Sequence, residues 1–62
     1  MGAFTFHVEH VDREPIVRTR NMAHETDALA YAQQLLSDWP DCDKIDVIEG
    51  DKLLTRLRPP RG

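Results

Sequence analysis

A single cysteine, Cys42, is all the thiol this chain has, so no intrachain disulfide can form. At 62 residues the chain is short enough to feel that lack. A domain of this size buries only about 60% of the surface its unfolded form exposes, and many such domains add a disulfide, a metal or a partner subunit. A lone cysteine without a secretory pattern fits a reducing cytoplasm. Long hydrophobic runs are missing as well, and nothing approaches the ~20 apolar residues of a membrane-spanning helix. Met1 to Val8 contain no Lys or Arg, and an acid follows at Glu9, so no signal peptide is expected. The three glycines, Gly2, Gly50 and Gly62, are too scattered for a phosphate-cradling loop. A dominant charge is absent too: the formal net charge is −3 with acids and bases interleaved, which argues against an obligate nucleic-acid binder.

What is present is one amphipathic stretch between two hairpin-like halves. Ala28, Leu29, Ala32, Leu35, Leu36 and Trp39 fall on one stripe of an α-helix, the pattern of a helix lying on an apolar surface. The spacing predicts a helix over about 25–38. Asn21 and Thr26 are both candidate N-caps, and Glu25 and Asp27 suit the positive end of the helix dipole. Trp39-Pro40 stops the helix, because a residue before Pro is pushed out of the α region. Trp39 reads as a packing residue on the stripe, and Tyr31, near its edge, as the more exposed ring.

Ala3 to Val11 alternates Phe4, Phe6 and Val8 with Thr5, His7 and Glu9, the period of a strand with one apolar face. Asp12-Arg13-Glu14-Pro15 reads as a turn, and Ile16 to Arg20 as a second strand. Pairing Val11 with Ile16 sets Glu9 opposite Arg18, worth up to about 1 kcal/mol, and puts Val17 with Phe4, Phe6 and Val8 on the core face. Lys44–Glu49 and Lys52–Arg58 are the third and fourth strands, around a turn at Gly50-Asp51. A two-residue loop sets Ile45 and Val47 on the face of Leu54 and Arg56, and Gly50 favours it as the opening of a type II′ turn. A three-residue loop sets them with Leu53 and Leu57 and pairs Asp46 with Arg56. It separates charge from apolar groups better and is preferred.

The order is ββαββ. The expected fold is α+β, a two-layer sandwich with one antiparallel sheet of four strands and a single helix on one face. One domain covers 1–58, with 59–62 as a flexible Pro/Arg tail. Because the helix covers one face only, the other carries the surface candidates. Val11, Ile16, Ile48 and Leu54 are expected there as an apolar patch rimmed by charge, the signature of an interface. A homodimer across that face, or along a strand edge, would supply the burial a short chain lacks.

Arg18, Arg20, Arg56 and Arg58 are expected on the same face, and sheet-face arginines are one route to nucleic acid. That reading ranks second, since Phe4 and Phe6 are assigned to the core and leave no rings for base stacking. His7 and His10 lie three apart on a strand and point to opposite faces, His24 sits in a loop, and Asp41 and Asp43 flank Cys42 and oppose its thiolate. No metal, cofactor or catalytic residue is therefore expected, and the core must fill with side chains rather than enclose a pocket. Arg58-Pro59-Pro60-Arg61 is similar to the basic, proline-rich ligands of SH3-type domains.

The run Asp27 to Leu36, then Trp39-Pro40, then Ile45 to Leu54, resembles short bacterial ββαββ proteins of unknown function. The resemblance implies a compact bacterial domain, with no activity or site to carry over. The resulting expectation is a small, non-enzymatic, cytoplasmic protein-interaction domain that self-associates. A nucleic-acid-binding module and a small phage- or host-type inhibitor, with its acidic surface imitating a ligand of a basic groove, stand as alternatives.

Overall fold

In a computed structural model that describes residues 2–60, the first strand, β1, runs Gly2–Glu9. Alternation of Phe4, Phe6 and Val8 with polar residues makes it a strand with one buried face, and all three apolar side chains are fully or almost fully enclosed. The strand ends at Glu9 rather than Val11, which stands in the following loop at 87% exposure. The second strand, β2, spans Ile16–Met22, and the helix α1 spans Glu25–Asp38. The remaining strands are β3, Lys44–Glu49, and β4, Lys52–Leu57. The sheet is antiparallel throughout in the order β2-β1-β3-β4. The two strands that carry the buried side chains are central and the two hairpins meet through β1 and β3.

The helix lies on the sheet face that bears Phe4, Phe6, Val8, Ile45 and Val47. Ala28, Ala32 and Leu35 are its buried residues, with Leu36, Trp39 and Tyr31 packed around them. Small alanines along the stripe let the helix backbone approach the rings of β1. Tyr31 is half-buried rather than a surface ring: it meets Phe6 edge to face, with centroids 4.8 Å apart at 71°. At the helix start neither candidate cap is used. Asn21 is held in β2 and Thr26 lies inside the helix. His24 takes the N-cap position in extended conformation, and its carbonyl accepts from the Asp27 and Ala28 amides at 3.1 and 3.4 Å. At the other end the Trp39 amide donates to the Leu35 carbonyl at 2.9 Å before Pro40 ends the helix.

Two registers differ from the sequence expectation, and both decide which side chains reach the surface. In the first hairpin Arg18 faces Phe6 rather than Glu9, a slip of three residues that exchanges the faces of β2. Ile16 pairs with Val8, and Ile16 and Met22 pack against the core from the helix side. In the second hairpin both candidate registers occur in turn. Glu49 pairs with Lys52 and Ile48 with Leu53 around a two-residue loop, and Gly50 has the φ of +64° that opens a type II′ turn. A bulge then absorbs Leu54, after which Val47 pairs with Thr55, Asp46 with Arg56 and Ile45 with Leu57.

Candidate interaction surfaces

No element among the described residues covers the sheet face opposite the helix. Reading across β2, β1, β3 and β4, one row of that face is Thr19, Thr5, Ile48 and Leu53, and the next is Val17, His7, Asp46 and Arg56. Val17 and Leu53 are exposed at 49% and 48%, and Ile48 is half-buried between Thr5 and Leu53. Two ion pairs lie on the face. Arg56 Nε donates to Asp46 Oδ1 at 2.7 Å, and that hydrogen bond together with the carboxylate's charge holds the guanidinium above its ordinary basicity. Lys44 Nζ stands 3.6 Å from the Glu9 carboxylate.

The expected apolar patch is not assembled. Val11 is in the loop, and Ile16 and Leu54 lie on the helix side against the core, so only Ile48 of the four is on the open face. Val17 and Leu53 take the vacated role. The signal for Val17 was available: Ile16 and Met22 are six apart, so a strand that buries both must turn Val17 outward. Leu53 was open to the two-residue-loop register, which sets it beside Ile48; the preferred three-residue register put Leu54 in its place.

The four arginines are likewise divided. Arg18 and Arg20 belong to the helix-side face of β2, at one sheet edge; Arg56 is on the open face and Arg58 follows β4 at the other edge. Three strand spacings, about 14 Å, separate those edges, so the arginines form no common patch. Arg20 lies against Tyr31, Nε to Oη 3.5 Å, with its guanidinium carbon 5.6 Å from the ring centroid. In the Arg-Pro-Pro-Arg run, Pro59 and Pro60 are described, whereas Arg61, with Gly62, lies outside the described residues.

His10 turns inward. Its ring meets Trp39 edge to face at 5.6 Å, and both ring nitrogens are buried without a protein hydrogen-bond partner. Cys42 is buried at the end of the loop before β3. An Arg13–Asp41 pair at 3.2 Å ties that loop to the β1–β2 loop. Among the described residues no three His, Cys, Asp or Glu side chains gather as metal ligands, no cavity opens, and no helix is long and apolar enough to cross a membrane. Comparison with protein-family models, with curated proteins and with solved structures finds no match in any of the three, so function has to be read from the two open surfaces, the sheet face and the β2 edge.

Proposed function

We propose that this protein is a small, non-enzymatic, cytoplasmic interaction domain that pairs with a second copy of itself through the sheet face opposite the helix. The observation that carries the reading is the apolar pair Ile48–Leu53, with Val17 exposed on the same face two strands away, on a face that no element among the described residues covers. Face-to-face packing of two sheets about 10 Å apart is a common way to enclose such side chains. Two features of the pair support a dry contact: Thr5 and Thr19 complete its row, and the nearest charges, Asp46 and Arg56, already neutralise one another.

Size sets the strength. Strands about 4.8 Å apart and about 20 Å long give a four-stranded face of about 400 Å². That is about half the ~800 Å² per partner of a standard interface, so the dimer is a reversible one with a dissociation constant in the micromolar range or weaker. Light scattering over a concentration series tests it. The apparent mass should climb from 7.1 kDa toward twice that value at high micromolar to millimolar concentration, and Leu53→Asp should hold the monomer with an unchanged circular dichroism spectrum. A wild-type species that stays at monomer mass throughout overturns the reading.

A further inference from the structure

The two edges of the sheet are built differently. β4 carries a bulge at Leu54 and runs on through Arg58 into Pro59-Pro60, both of which blunt the addition of another strand. β2 has no bulge, and its one flanking proline, Pro15, lies before its first residue. Its seven residues pair with β1 without a register shift, and its far side faces no element among the described residues. The unused amide and carbonyl groups of that side form a regular row, a template for one more strand.

The side chains along this row select the occupant. Arg18 and Arg20 are the charged residues of β2, both positive, two apart and therefore on one side of the strand. Arg13, Lys44 and Arg56 each meet a carboxylate. Arg20 meets only Tyr31, and Arg18 has no hydrogen bond or ion pair among the described residues. A second copy of β2 is a poor fit. Antiparallel pairing centred on Thr19 sets Arg18 opposite the other copy's Arg20, and centring on either arginine sets it against itself; like charges directly opposite destabilise a strand pair.

We propose that the β2 edge docks an extended acidic peptide segment from another protein, which adds as a fifth strand. Carboxylates two residues apart lie beside Arg18 and Arg20, and β-branched or small residues between them lie beside Val17 and Thr19. Tyr31 holds Arg20 in place for the contact through the hydrogen bond to its hydroxyl and the cation–π approach to its ring. The edge shares Val17 and Thr19 with the open face, but its unpaired backbone groups and its arginines lie off that face, so failure of the dimer leaves the proposal standing.

The test is an amide-shift titration of isotope-labelled protein with a blocked octapeptide alternating Glu with Val and Thr. Shifts concentrated in Ile16–Met22 are expected, fading at high salt as screened ion pairs do. The charge reversal Arg18→Glu with Arg20→Glu should weaken binding about tenfold or more, and should transfer it to the same peptide with Lys in place of Glu. That gain cannot come from a misfolded variant. Shifts centred on Ile48 and Leu53, or affinity indifferent to the charge reversal, overturn the proposal. So does a single-stranded oligonucleotide that moves β2 when the acidic peptide does not, since the arginines would then be reading phosphate.

Discussion

Phe6 is the residue on which the stability of this fold most depends. It is fully enclosed, sits between Arg18 and Val47 in the sheet, and receives the edge-to-face contact of Tyr31 at 4.8 Å from the helix. Truncating a buried Phe to Ala costs about 3–5 kcal/mol, and the lost ring pair contributes about 0.5–1.5 kcal/mol of that. The reserve is no larger: one small hydrophobic core supplies about 3–5 kcal/mol. Phe6→Ala should therefore be largely unfolded at 25 °C, with a collapsed amide spectrum and no cooperative thermal transition. Phe6→Leu keeps most of the volume, should lose about 1–1.5 kcal/mol, and should melt some 4–10 °C lower. Urea unfolding by circular dichroism, at a concentration low enough that self-association contributes nothing, measures both. If Phe6→Ala stays cooperatively folded with a loss under about 2 kcal/mol, the core is not organised around this ring and the argument fails.

Changes at three other positions probe separate parts of the chain. Gly50→Ala should lose about 1 kcal/mol by urea titration, because a Cβ there has open space but the φ of +64° disfavours L side chains; Gly50→Asn should lose less. Deleting Leu54 removes the bulged residue and leaves every observed β3–β4 pair in line, so cross-strand proton contacts should still join Asp46 to Arg56, with stability reduced only by the lost packing of one half-buried leucine. His10→Leu should raise the melting temperature, since two buried ring nitrogens without a protein partner give way to an apolar side chain against Trp39, a gain of about 1 kcal/mol or more.

The helix was legible nearly to the residue because its signals are local: a stripe of apolar residues fixes the face and Trp39-Pro40 the end, and α1 occupies Glu25–Asp38 as the spacing predicts. Its cap was not, because Met22 is drawn into the sheet by its pairing with Gly2 and carries Asn21 with it, leaving His24 to begin the turn. The second hairpin held two true signals that looked contradictory. Gly50 spoke for the two-residue loop and the Asp46–Arg56 pairing for the three-residue register, and the bulge at Leu54 satisfies both. A reading confined to one register per strand pair had to discard one of them.

The first hairpin turned on a comparison of magnitudes. The expected register rested on Glu9 opposite Arg18, a cross-strand pair worth at most about 1 kcal/mol. The observed one carries both Ile16 and Met22 onto the core, and each half-buried apolar side chain contributes about 1 kcal/mol. Glu9 meanwhile loses little, since Lys44 on β3 stands in for Arg18 at 3.6 Å. Burying Ile16 and Met22 outweighs exposing Val17, the one apolar side chain of β2 that the expected register buries, and because Glu9 keeps an ion pair either way the balance of about one burial settles the register. The odd slip then reassigns every side chain of the strand at once: Val17 moves out to the open face, and Arg18 and Arg20 leave that face for the helix side of the edge. The surface is thereby sorted into an open face whose acids and bases are paired around a few apolar side chains, and a β2 edge whose two arginines meet no carboxylate. That separation is why the face and the edge of this sheet call for different kinds of partner.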